Sequence, residues 1–354
     1  MQIEQMAKEM MSSAVSFQAS DIHLVPLEKI AITRYRIDGS LMDIQRIPIP
    51  IAVKIISHLK FISGMDVGER RRAQNRSMEV SLQGKKYSAR LSTFPSSFHE
   101  TLVIRLFPQD ATKNLQQLSI FPKQAQQLMK ILEEPSGLLL ICGPTGSGKT
   151  TTLYSLLHMS VENMNRNIIT LEDPVEQRHE KLLQMEINER AGITYAHGLK
   201  SLLRHDPDVI MIGEIRDKET AKMAVRAALT GHFVLSTLHS DNPFNALKRM
   251  FELGVSRLDL IDTLKGISSQ RLVDLACPFC DKHCYPLCRK HRKKRRGAVF
   301  EQLFHSELIH AIQSYPHFQS PAPTHSVRQV ISKGIALGFI DENEYVRLGK
   351  GGYQ

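Results

Sequence analysis

The stretch Gly137-Leu138-Leu139-Leu140-Ile141-Cys142-Gly143-Pro144-Thr145-Gly146-Ser147-Gly148-Lys149-Thr150-Thr151 decides how the rest of the chain is read. Its first part, Gly137–Cys142, is an apolar run of strand length, and a helical pattern over 149–159 follows the glycines. Between them lies GxxxxGK[ST], the P-loop pattern. Glycines let backbone N–H groups close around phosphates, and the helix N-terminus adds partial positive charge. Lys149 reaches the β- and γ-phosphates, and the Thr150 hydroxyl ligates Mg²⁺. Gly143, Pro144, Thr145, Gly146, Ser147, Gly148, Lys149, Thr150 and Thr151 are therefore the candidate nucleotide site, with ATP and Mg²⁺ as its expected occupants.

Working outward, apolar strands at 168–171, Val209–Ile212 and 233–237 alternate with helical patterns at Pro122–Leu132, 149–159 and Lys218–Leu229. Such alternation implies a parallel sheet covered on both faces, an α/β fold. Polar groups cluster where ligands bind in these folds, beyond the carboxyl ends of the strands. Glu172, Asp173 and Glu176 follow the first strand, and Glu214, Arg216 and Asp217 follow the second. His232 and His239 bracket the third. A carboxylate in such a place can hold Mg²⁺ or orient water, while Asp217 can also cap the helix that begins at Lys218.

Before residue 108 the pattern differs. Residues 1–17 read as one amphipathic helix; strands follow at Ile30–Ile37, 78–82, 86–92 and 102–107, with a turn at Asp38-Gly39 and a helix over 51–62. The expected organisation is a small α+β domain over 1–108, a polar linker over 109–117, a P-loop core over 118–275, and a cysteine-rich, basic and mostly helical region over 276–354, with helices resuming after Arg257.

Composition narrows the class further. With 354 residues, 42% hydrophobic and 23% charged, the chain can bury a substantial core. No apolar run approaches the roughly 18 residues of a membrane span, and Glu4, Lys8 and Glu9 interrupt the N-terminus as no signal peptide would. The expected location is cytoplasmic. The net charge of +10 suggests nucleic acid at first sight, but seven of the basic residues fall in Arg289–Arg296. That run suits a solvated segment or the anionic inner leaflet better than a DNA-binding face.

Cys277, Cys280, Cys284 and Cys288 place four thiols within twelve residues. They could close a tetrahedral Zn²⁺ site, with His283 as a substitute ligand, or remain reduced thiols. Cys142, in the strand before the P-loop, reads as a small buried hydrophobe.

Taken in order, Ser20-Asp21-Ile22-His23, Arg36-Ile37-Asp38-Gly39, the segments 90–95 and 103–105, the P-loop, 170–176, 202–217 and 230–240 resemble one family. It comprises the secretion and pilus-assembly ATPases of type II secretion, type IV pili and natural competence. The resemblance implies a RecA-like ATPase core and ATP-driven motor activity in a homohexamer, docked on an inner-membrane platform protein by peripheral membrane contact. No direct nucleic-acid contact is implied. It assigns Glu172 to polarising the attacking water, Glu214 to Mg²⁺, and His232 and His239 to sensing the γ-phosphate. It makes Arg90 and Arg105 charge-neutralising fingers, and gives Arg76 a place near the phosphates although Gln74-Asn75-Arg76-Ser77 departs from the family's Gln-Asp-Gly-Arg. Residues 252–255 and 270–273 with the Cys277/Cys280 pair are similar to the assembly and secretion branch. The expected function is assembly of a competence pilus for DNA uptake. The alternatives are a type II secretion or retraction ATPase, or a DNA-stimulated translocase of the same core.

Overall fold

Strand and helix periodicities are arranged differently in the two halves of this chain, and each arrangement builds its own unit. The computed structural model describes residues 2–109, 114–280, 288, 292, 294–317 and 326–350. One unit comprises Met1–Ala111 with Cys277–Arg295; the other comprises Thr112–Ala276 with Arg296–Gln354.

The first unit holds α1 (Gln2–Ser16), β1 (Asp21–Pro26), β2 (Ile30–Ile37), β3 (Ser40–Pro48), α2 (Ile49–Ile62), β4 (Gln74–Leu82), β5 (Lys85–Phe94) and β6 (Thr101–Pro108). Its six strands form an antiparallel sheet in the order β3-β2-β1-β6-β5-β4. Ala7, Met11 and Ala14 of α1 and Ile55, Ile56 and Leu59 of α2 bury one face against Ile22, Leu24, Tyr35, Leu91 and Ile104. Because strand side chains alternate, the intervening residues occupy the other face, and these are largely polar. Asp38 and Gly39 both take positive φ in the β2–β3 turn, the geometry that selects Asp-Gly at a two-residue hairpin. The sequence reading misses β1 and β3. β1 follows α1 after the short connection 17–20, and β3 is an exposed edge strand with little apolar alternation.

The second unit runs α3 (Leu115–Leu118), α4 (Pro122–Leu132), β7 (Gly137–Cys142), α5 (Lys149–Met164), β8 (Ile168–Glu172), β9 (Leu183–Glu186), α6 (Tyr195–Leu202), β10 (Val209–Ile212), α7 (Lys218–Leu229), β11 (Phe233–Leu238), α8 (Pro243–Glu252), α9 (Arg257–Thr263), β12 (Leu264–Asp274), β13 (Arg296–Phe304), α10 (His305–Ser314), α11 (Val327–Ala336) and α12 (Asn343–Lys350). The sheet order is β13-β12-β7-β11-β10-β8-β9, all parallel except the β12–β13 pair. Leu138, Leu140 and Cys142 point into one apolar cluster with α6, α7 and α9. Leu139 and Ile141 point into another with α4 and α5. This is the α/β P-loop architecture that the nucleotide motif implies.

One expectation is corrected. Helices do not simply resume after Arg257: Leu264–Asp274 is a long strand and Arg296–Phe304 is its antiparallel neighbour. The physical reason is that β12 is buried on both faces, Ser268, Ser269 and Gln270 included. A strand with no exposed face shows no alternation in sequence.

Candidate active site

The P-loop bends over a floor supplied by β12. Gln270 is buried there; its Nε2 donates to the Ser147 carbonyl at 2.8 Å, and its Oε1 accepts from the Thr152 hydroxyl at 2.8 Å. A Cβ at Gly143 would come within 2.5 Å of the Gln270 carbonyl, and one at Gly148 within 2.9 Å of its amide nitrogen. Both glycines also have positive φ, so neither close approach nor backbone conformation tolerates a side chain. Sequence reading gives Gln270 no part in the site; only the pairing of β12 with β7 brings it under the loop.

Lys149 Nζ donates to the carbonyls of Gly143 at 2.8 Å and Pro144 at 3.0 Å. Burial lowers its pKa, opposed by the neighbouring Cys142 thiol and by the carboxylates Glu214 and Glu176. Burial pushes the Cys142 thiol up to about 12, which fits the small-hydrophobe reading. The Ser147 hydroxyl is buried within the loop and lacks a hydrogen-bond partner.

Two carboxylates mark the ends of β8 and β10, and their surroundings differ. Glu172 is buried. Its Oε2 accepts from the Tyr154 hydroxyl at 2.6 Å, and its Oε1 accepts from Thr170 at 2.7 Å and Gln184 at 3.2 Å. Burial, and then Glu172, raise the Tyr154 hydroxyl above its usual pKa, so it remains a donor. Three hydrogen bonds fix this carboxylate and leave about one of its four lone-pair positions. Glu214 is more open. Arg216 contacts its Oε1, and His239 Nε2 approaches its Oε2 at 3.2 Å without hydrogen-bond alignment, so that buried oxygen has no aligned donor. Thr237 and Ser236 donate to the carbonyls of Gly213 and Ile212 and pin the ends of β10 and β11 together. Tyr195 brings its hydroxyl against Gly213, a neighbour that the sequence reading does not include.

His232 is a correction. It precedes β11, and its carbonyl accepts from the amide of Gly137, the first residue of β7. The parallel register pairs Phe233 with Gly137 and Leu238 with Cys142. Five or six residues of strand, about 3.3 Å each, therefore separate His232 from the P-loop end of the sheet. Its Nδ1 lies 3.1 Å from the Thr230 hydroxyl and 3.0 Å from the Ala227 carbonyl, at the end of α7. His232 cannot sense a phosphate on its own P-loop. Asp217 proves to be a helix cap, accepting from the Thr220 amide at 2.8 Å and hydroxyl at 2.7 Å. Burial would raise its pKa, but these hydrogen bonds outweigh it and the net shift is downward.

In the first unit, the register aligns Arg36, Asp21, Arg105, Arg90 and Ser77 in one row across five strands. Arg90 and Arg105 are directly opposite each other, an unfavourable pair of like charges. Asp21 relieves it by accepting from Arg105 at 2.6 Å and facing Arg36 at 3.6 Å, while Arg90 rests over the Phe107 ring. Arg76 pairs with Leu91 and so belongs to the opposite, helix-covered face; it does not join Arg90 and Arg105.

The sulfurs of Cys277, Cys280 and Cys288 lie within 4.8 Å of one another. Cys284 and His283 fall outside the described residues, as does much of the basic run. The end of that run is not a solvated face. Arg295 is buried in an ion pair with Asp38 at 2.9 Å, and Arg296 opens β13 opposite Asp274, 3.3 Å from its carboxylate.

Together the residues fit a nucleotide phosphate with a divalent cation. The P-loop cradle excludes side chains, and Ser147 Oγ and Glu214 Oε2 are buried polar atoms without aligned partners. Among the described residues, no helix is long and apolar enough to cross a membrane.

A family model described as "Type II/IV secretion system protein" matches residues 1–347. A protein named competence protein ComGA, from Bacillus subtilis (strain 168), is 46% identical over 346 residues, 98% of this chain and 97% of its own. The type II secretion system protein E of Aeromonas hydrophila is 40% identical over 272 residues, 77% of this chain and 54% of its own length. Among solved structures, the pilus retraction motor PilT with bound ADP matches with a TM-score of 0.70 at 25% identity, covering 96% of each chain.

Proposed function

Since this chain belongs to the family of type II/IV secretion system proteins and is an ATPase, we propose that it drives assembly of a competence pilus for DNA uptake from the cytoplasmic face of the membrane. The observation that carries this reading is end-to-end similarity: a competence protein matches 98% of this chain and 97% of its own length. The type II secretion relative extends well beyond this chain, which spans about half of it.

In the proposed mechanism the P-loop amides and Lys149 bind the β- and γ-phosphates, and Thr150 and Glu214 hold Mg²⁺. The metal supplies charge neutralisation at the phosphates when bound. Glu172, fixed by Tyr154, Thr170 and Gln184, orients and polarises the attacking water. His239, beside Glu214, meets the γ-phosphate. Arg90 and Arg105 complete the charge balance for a nucleotide held by another copy in a homohexamer, the role of arginine fingers. A membrane platform protein is the partner that receives the work. Cys277, Cys280 and Cys288, with Cys284 as the fourth thiolate, bind structural zinc; metal analysis of the purified chain should find one zinc per chain, released by a thiol-modifying reagent.

The primary test is specific ATPase activity against protein concentration. Activity per chain should rise steeply as copies assemble, and Lys149→Ala should lower it by at least about a hundredfold. In cells the same substitution should abolish DNA uptake. Stimulation of the rate by added DNA would instead favour the translocase reading.

A further inference from the structure

Lys60, on the last turn of α2, is 1% exposed, a rare condition for a lysine. Its ammonium donates to the Glu69 carbonyl at 2.6 Å and to both Glu100 carboxylate oxygens at 2.9 and 2.8 Å. Three segments of the first unit thus converge on one buried charge: the end of α2, the loop after it, and the loop between β5 and β6. The loop after α2 is braced again by the first residue of β4. Gln74 donates to the carbonyls of Asp66 and Glu69 and accepts from the Asp66 amide. The Asp66 carboxylate accepts from the amides of Gly68 and Glu69, and Glu69 accepts from the Arg71 amide at 2.7 Å.

What this scaffold presents outward is cationic and apolar together. Arg70, Arg71 and Arg72 are consecutive and exposed, Arg72 by 87% of its side chain, and among the described residues their one ion pair is that of Arg72 with Glu69 at 3.9 Å. Phe61 and Ile62, next to Lys60, are exposed, Phe61 by 74%; Phe98, two residues from Glu100, is 53% exposed. Each lies within about three residues of Lys60 or of a group bonded to its ammonium, or roughly 10 Å of chain, so they are neighbours around that buried charge.

We propose that this surface docks on an anionic bilayer. Large exposed apolar side chains rimmed by cations are the composition of an interfacial membrane contact. Arg70, Arg71 and Arg72 are all exposed in the irregular loop between α2 and β4. A single carboxylate on a partner protein would engage one or two of them, whereas headgroup anions lie on every side. The inference rests on the membrane-side reading above and names a contact that reading leaves open, one that does not use the basic run at 289–296.

The test is co-sedimentation of the full chain with phosphatidylglycerol-containing vesicles and with pure phosphatidylcholine vesicles. Wild type should bind only the former. Each of Arg70→Gln, Arg71→Gln and Arg72→Gln should lower partitioning about fivefold, and Phe61→Ser with Phe98→Ser should lower it further, with unchanged melting temperature and basal ATPase. The combined variant Arg289→Gln, Lys290→Gln, Arg292→Gln, Lys293→Gln should bind as wild type does. Absence of wild-type binding, or loss that follows the basic run alone, overturns the proposal. So does an arginine variant that binds vesicles normally but sediments as a smaller oligomer, since another copy would then cover the surface. Lys149→Ala should leave vesicle binding intact, so failure of the motor reading and failure of this one give different results.

Discussion

Along β7, β8, β10 and β11 every side chain is buried, and the ionisable residues stand at the strand ends or just past them: Lys149, Glu172, Glu214 and His239. Along β1, β2, β5 and β6 of the other sheet, Asp21, Arg36, Arg90 and Arg105 stand within the strands. The difference follows from coverage. A parallel sheet has helices on both faces, so a charge can escape burial only at an end. An antiparallel sheet with helices on one face leaves the other for a row of charges. Where a functional residue belongs on a strand is therefore a consequence of topology, and five substitutions probe it.

The largest effect is expected at the floor of the strand-end site. Gln270→Ala leaves the Ser147 carbonyl and Thr152 hydroxyl without partners inside the fold. It should lower stability by about 2–3 kcal/mol and weaken nucleotide binding, measurable by thermal melts with and without ATP. Next is Asp21→Ala on the open face. It removes the carboxylate between Arg105 and Arg36 and leaves Arg105 facing Arg90. Because the arginines are about half exposed, the loss should be only about 1–2 kcal/mol, larger at low salt than at high salt. A melt that is independent of salt would show that the row is not an electrostatic unit.

The two histidines compare the two ends of one strand. His239→Ala should reduce kcat roughly tenfold, the scale of one lost contact to a charged group, while His232→Ala should stay within about twofold. Equal losses would contradict the strand-end rule. The smallest effect concerns Glu301 of β13. Burial raises its pKa, opposed by the Val327 amide and by Arg271. With the folded pKa above the unfolded one, its contribution to stability is fully present below the unfolded value, near 4.3, and is lost as pH rises through the folded value. Glu301→Gln should therefore raise the melting temperature at pH 7 relative to wild type, by less than about 1 kcal/mol of stability, and give no advantage at pH 4.

Much of this molecule is legible in its residues. The strand, glycine loop and helix at 137–159 are local, and their chemistry is written in consecutive positions. The helices at Pro122–Leu132 and Lys218–Leu229 and the strand at Val209–Ile212 follow from periodicity and length. β12 is not legible, because burial on both faces erases alternation, and with it the sequence conceals why Gln270 matters. The basic run misleads for a related reason: a string of cations looks solvated until Asp38 and Asp274, hundreds of residues or a strand pairing away, are found beside Arg295 and Arg296.

The sequence by itself determined the family and the nucleotide loop, since both depend on residue types in order along a few dozen positions. Only the tertiary structure decided which polar residues share a site. It removed His232 through the direction of β11, separated Arg76 from Arg90 through the side-chain alternation of β4 and β5, and distinguished Glu172, fixed by three hydrogen bonds, from the more open Glu214. Register, strand order and burial are relations between distant segments, fixed by packing, and no local pattern carries them.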